Sequence, residues 1–190
     1  MSKNPDKTLQ RLVSEHVAVF QGLLSQEEAM AEIVACLIQA LGAGGTVYIC
    51  GNGGSAADSQ HFAAELSGRF EKERRGYRAV ALTTDTSALT AIANDYGFEQ
   101  VFARQVVALA RKGDVLVVIS TSGNSENCSL AARAAAEMGV TTVGLLGRDG
   151  GALRLLCDHA VVVEADSTAR IQEAHGFLIH AICGAIESQA

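Results

Sequence analysis

Proline is nearly absent from this 190-residue sequence: Pro5 is the single one. There is no linker, low-complexity segment or internal repeat, so nothing divides the chain, and its length suits one domain with a substantial core. No apolar run approaches the ~20 residues of a membrane span. Residues 1–8 are polar and lack the apolar stretch of a signal peptide. A cytoplasmic protein is expected, with no membrane partner. Positive charge is not in excess. The net charge is −6, which argues against a nucleic-acid partner or an anionic lipid surface, since both need clustered Lys and Arg. The five cysteines (Cys36, Cys50, Cys128, Cys157 and Cys183) form no CxxC pair and no secreted-scaffold spacing. Most lie in apolar runs and read as buried, reduced thiols.

What is present alternates. Residues 46–50, 79–82, 115–119, 140–146 and 160–163 are short apolar runs with the composition of strands. Residues 115–119 are apolar throughout, as in a strand buried on both faces of a parallel sheet. Helical spacing of apolar residues is found at 9–24, 25–41, 55–70, 87–95, 99–111, 126–138 and 168–186, with a short helix at 151–157. Ser25 with Glu28, and Ser55 with Asp58, read as capping boxes, and Ser167 or Thr168 as the last N-cap. Residues 71–75 read as a charged, exposed stretch. Strand and helix in alternation, joined by short loops, predict an α/β fold with a parallel five-stranded sheet between helices. Two N-terminal helices precede the first strand, and a long helix ends the chain.

Ligands of open parallel sheets bind beyond the carboxyl ends of the strands. Two loops occupy that place. Gly51-Asn52-Gly53-Gly54 turns sharply after the first strand and lets a ligand approach the backbone. Ser120-Thr121-Ser122-Gly123-Asn124-Ser125 offers hydroxyls and a helix N-terminus, a ready phosphate site. It lacks the lysine of a nucleotide-binding P-loop, and the first loop does not complete GxGxxG. A neutral hydroxyl cradle suits a sugar phosphate better than a nucleotide. One helical turn separates His61 from Glu65, so the two share a helix face. Gln172, His175 and His180 interrupt an otherwise apolar last helix, and polar groups in such a setting want partners. His16 and His159 have no such context and read as surface or structural residues.

The motifs Gly-Asn-Gly-Gly-Ser (51–55), His-Phe-Ala-Ala-Glu-Leu (61–66), Ala-Asn-Asp-Tyr-Gly (93–97), Ser-Thr-Ser-Gly-Asn-Ser (120–125) and Arg-Ile-Gln-Glu (170–173) resemble those of the sedoheptulose 7-phosphate isomerases, within the sugar isomerase (SIS) domain proteins. The likeness covers nearly the whole chain. It implies a single SIS domain over residues 1–190, assembled as a homotetramer with active sites at subunit interfaces. The implied reaction converts D-sedoheptulose 7-phosphate to D-glycero-D-manno-heptose 7-phosphate, the first step toward activated heptoses of bacterial surface glycans such as lipopolysaccharide. By the same resemblance Asn52, Gly53, Gly54, Ser55, Glu65, Asn94, Asp95 and Gln172 contact substrate. Ser120, Thr121, Ser122 and Ser125 hold its phosphate or neighbouring hydroxyls. His61, Glu65, Gln172 and His180 surround one zinc ion per subunit, and Glu65 and His180 carry the chemistry as base and acid/base. Some members carry an acid just before the Arg-Ile-Gln-Glu motif; here that position is Ala169. A rival reading is a non-catalytic protein-binding tetramer on the same fold, like the DnaA initiator-associating protein. That relative lacks the counterparts of Glu65 and His180, and their presence here favours catalysis.

Overall fold

A computed structural model describes residues 5–189, with side chains from Thr8 onward. Five strands form one sheet: β1 (Val47–Gly51), β2 (Ala79–Ala81), β3 (Val115–Ser120), β4 (Thr141–Gly147) and β5 (His159–Val163). Their order is β2-β1-β3-β4-β5, and every pairing is parallel, as expected. Among the described residues seven α-helices accompany them: α1 (Pro5–Gly22), α2 (Glu27–Gly42), α3 (Gly54–Ser67), α4 (Thr86–Tyr96), α5 (Ala103–Leu109), α6 (Glu126–Glu137) and α7 (Thr168–Ser188).

Side chains of a strand alternate between its faces, and this divides the core in two. Val47, Ile49, Val115, Val117, Ile119, Val143, Leu145, Val161 and Val163 face α2, α3 and α7. Tyr48, Cys50, Leu116, Val118, Leu146 and Val162 face α5 and α6. All five residues of β1 and all six of β3 are buried, because parallel strands covered by crossover helices have no solvent face. α1 lies outside this frame, against α7, and leaves Leu9, Val13 and Val17 exposed along one stripe.

Several local expectations are corrected. Ser25 does not cap α2. It sits in a 3-10 turn, Leu23–Gln26, where its hydroxyl donates to the Gly22 carbonyl. The helix predicted over 99–111 is a 3-10 turn, Phe98–Gln100, followed by the shorter α5. The one at 151–157 is a single 3-10 turn, Ala152–Leu155. Pro5 opens α1, a position where its missing N–H is no loss. The N-cap of α7 is Ser167, which accepts from the Arg170 N–H.

Candidate active site

β1 and β3 are neighbours, and Gly51 pairs with Ile119, so the 51–55 and 120–125 loops leave the same edge of the sheet side by side. A side chain at Gly51 would lie 2.8 Å from the carbonyls of Ile119 and Ser55, so only glycine fits there. Gly53 takes φ of 58° and stands before the first residue of α3. Ser55 is therefore inside the helix rather than its cap, and it is buried. Asp58 caps nothing either. Its Oδ2 is buried without a partner, and desolvation raises its pKa, opposed in part by nearby His61.

The serine loop is tightly organised. Ser120 Oγ and Ser125 Oγ are 3.0 Å apart, and Ser120 Oγ also accepts from the Gly123 N–H. Ser125 is the N-cap of α6, yet its hydroxyl makes no bond to the helix, which leaves the first turn's amides to other acceptors. Ser122 Oγ accepts from the Asn124 N–H, and Asn124 in turn accepts from Ala152 N. Thr121 and Ser122 are half-buried at the rim. Gly123, at φ of 66°, lies against the Gly150 carbonyl.

Asn52 is tied to a residue that the sequence did not single out. Its carboxamide exchanges two hydrogen bonds with that of Asn127, each 2.8 Å, across 75 residues of chain. Asn127 is buried in the first turn of α6, so the pair joins the glycine turn to the phosphate loop. A cleft of about 490 Å³ opens there, lined by Asn52, Gly53, Phe98, Glu99, Ser125, Glu126 and Asn127.

The second cluster lies on the α3/α7 side. His61 Nε2 and His180 Nε2 meet at 2.7 Å, from two helices 119 residues apart in sequence. Glu65 Oε1 is 3.7 Å from His61 Nδ1. Both histidines are exposed, and Phe70 packs against the His180 ring at 5.5 Å between centroids. Two nitrogens converging head-on hydrogen-bond only if one is protonated; both lone pairs are also aimed where a shared cation would sit. A tetrahedral zinc ion with Zn–N of ~2.0–2.1 Å spaces its nitrogens roughly 3.3 Å apart, a small opening of this pair. Among the described residues no three His, Cys, Asp or Glu side chains converge as a complete metal cluster. Gln172 stands apart from the histidines. Its amide occupies the space over Gly54, two helical turns before His61.

Asn94 and Asp95 join neither cluster within one chain. They are exposed near the end of α4, where the Asn94 amide donates to Asp95 Oδ1 at 2.8 Å. α4 packs on the face opposite α3 and α7, through Leu89, Ile92 and Ala93. His175 is fully buried, with Nε2 3.2 Å from the Leu146 carbonyl and Nδ1 without a partner. Burial lowers its pKa to about 4, offset slightly by that bond. His16 and His159 pair with Glu173 and Glu32, as structural residues would.

The SIS domain model matches residues 14–147. The phosphoheptose isomerase of Helicobacter pylori strain P12 is 55% identical over 170 residues, 90% of this chain and 88% of its own length. That of Campylobacter concisus is 54% identical over 187 residues, 98% of this chain and 95% of its own. This chain belongs to the phosphoheptose isomerase family. Its fold agrees throughout with that of solved phosphoheptose isomerases. The Neisseria gonorrhoeae enzyme superposes with a TM-score of 0.92 at 46% identity, over 97% of this chain and all of that one. The Francisella tularensis enzyme gives 0.92 at 36% identity, over 99% of this chain and all of that one. Membership decides between the two readings in favour of an isomerase. No described helix is long and apolar enough to cross a membrane.

Proposed function

We propose that this phosphoheptose isomerase family member interconverts D-sedoheptulose 7-phosphate and D-glycero-D-manno-heptose 7-phosphate through an enediol. The observation that carries the reading is the meeting of His61 and His180, with Glu65 beside them, in a chain that also carries the Ser120–Ser125 hydroxyl cradle. Ketose–aldose isomerisation removes a proton from the carbon next to the carbonyl and returns it to the neighbouring carbon. It also moves a proton between the two oxygens. Glu65 is the base at carbon: a half-buried carboxylate with no strong ion pair of its own. His180 carries the proton between the oxygens, and His61 orients it through the Nε2 contact.

Ser120, Thr121, Ser122 and Ser125, with the Glu126 and Asn127 amides at the start of α6, hold the phosphate, the Cys128 amide being taken by Asn127 Oδ1. Asn52, Gly53, Gly54, Ser55 and Gln172 line the adjoining sugar subsite. His61, Glu65 and His180 would hold a zinc ion, joined by Gln172 only if its amide leaves its place over Gly54, and the ion would stabilise negative charge on the enediolate oxygens. The exposure of both histidines, and the placing of Asn94 and Asp95 on the opposite face, suit a homotetramer in which a second copy closes the site and adds the missing polar groups.

The test is turnover of sedoheptulose 7-phosphate by the purified protein, with and without chelation, beside Glu65→Gln. The expected result is activity that falls with chelator, returns with zinc and is abolished in Glu65→Gln while the fold is kept. Near-normal turnover by Glu65→Gln removes Glu65 from the mechanism. Activity indifferent to chelator removes zinc.

A further inference from the structure

Residues 71–75 read from the sequence as a charged, exposed stretch, and all but the half-buried Arg74 are exposed; their backbone and Arg74 nevertheless wrap a buried carboxylate. Glu187, in the last turn of α7, is 3% exposed. Its two oxygens accept from three consecutive backbone amides, Phe70 N at 2.9 Å, Glu71 N at 2.9 Å and Lys72 N at 2.8 Å. Arg74 Nε donates to the same carboxylate at 2.9 Å. The rest of the Arg74 guanidinium caps the end of α3. It donates to the carbonyls of Glu65 (2.8 Å), Leu66 (2.9 Å) and Gly68 (3.3 Å), and the Leu66 carbonyl also accepts from the Tyr77 N–H. Tyr77 lies under the guanidinium, 4.4 Å from ring centroid to Cζ.

This arrangement reaches the reacting groups at both ends. On α3 it holds the carbonyl of Glu65 itself. On α7, Glu187 lies seven residues, two helical turns, beyond His180, on the same face. Between them Gly184 lies beside Phe70, whose ring a β-carbon there would meet at an ordinary contact distance of 3.6 Å. The Phe70 ring packs on the His180 imidazole. The amide of the residue that packs on His180 is thus the first of the three that Glu187 grips.

We propose that Glu187 and Arg74 are positioning residues for the isomerase reaction: they clasp the ends of α3 and α7 together and set Phe70 against His180, so that His180 faces His61 and Glu65. Neither touches the reacting atoms. The proposal rests on the assignment of His180 and Glu65 to the chemistry. A misplacement of about 1 Å at a reacting group costs on the order of a hundredfold in rate, so a loosened clasp lowers kcat and leaves phosphate binding by the serine loop intact.

The experiment compares Phe70→Leu, Glu187→Gln, Arg74→Lys and His180→Gln in the intact protein. It reads kcat and KM for sedoheptulose 7-phosphate, thermal midpoint, and the ring resonances of 15N-histidine-labelled enzyme, with His180 assigned by its loss in His180→Gln. Phe70→Leu is expected to lower kcat at least tenfold with KM within about twofold, and to shift the His180 resonances. Phe70→Leu buries no charge and folds even where Glu187→Gln does not. Where Glu187→Gln folds, the double variant with Phe70→Leu is no slower than the worse single one, because both act through one element. Phe70→Leu with wild-type kcat and unmoved His180 resonances, in a background where His180→Gln is inactive, overturns the clasp alone. A fully active His180→Gln overturns the underlying assignment instead.

Discussion

Removing the Asn127 carboxamide should damage the site through Asn52. In the folded chain the two carboxamides exchange two hydrogen bonds of 2.8 Å, and Asn127 Oδ1 also accepts from the Cys128 N–H at 2.9 Å. A net ~1 kcal/mol for each bond puts the cost of Asn127→Ala at about 3 kcal/mol and that of Asn52→Ala at about 2 kcal/mol. Both variants delete the same two bonds. The double variant should therefore cost about 3 kcal/mol, with a coupling of about 2 kcal/mol. For a chain of this length Asn127→Ala lowers the thermal midpoint by roughly 6–12 °C. Denaturation of the four proteins of the cycle measures the coupling. Steady-state kinetics should show KM rising in Asn127→Ala, because the glycine turn is no longer held beside the phosphate loop. Additivity of the single variants within ~0.5 kcal/mol would refute the argument. So would an unchanged KM, which would show that the 51–55 turn keeps its shape unaided.

Other outcomes follow from single contacts. His175 stays neutral in the folded chain to a pH of about 4, against 6.5 for the free side chain. The unfolded state therefore binds the extra proton as pH falls through 6.5, and stability present above that pH is lost toward pH 4. The loss reaches about 3 kcal/mol, and urea midpoints at pH 7 and pH 4.5 should show most of it in the native protein and not in His175→Leu. Gly123→Ala places a β-carbon on the Gly150 carbonyl at a positive φ. It should cost at least ~1–2 kcal/mol and raise KM, both read from melting and kinetics. Gly54→Ala meets only the flexible end of Gln172. It should leave the thermal midpoint nearly unchanged but displace the Gln172 amide and lower kcat/KM about tenfold or more; unchanged kinetics would remove Gln172 from the site.

Several features were decided locally and were legible in the sequence. The unbroken apolar run of β3 and the alternation of strand with helix determine a buried parallel sheet, because backbone pairing and burial on two faces leave few other arrangements. The two loops beyond the strands announced themselves through glycine and hydroxyl content, and the 61–66 motif together with His180 marked the family. Tertiary structure alone decided the rest. Ser25 and Ser55 have the composition of caps, but whether a hydroxyl caps depends on where the helix begins, and packing starts both helices one or two residues away. Asn127 and Glu187 carry no local signal. One reads as an ordinary polar residue in a first turn, the other as a surface charge near a chain end. Each gained its role from a partner 75 or more residues away, because a buried polar group is tolerated only where distant backbone and side chains converge to satisfy it.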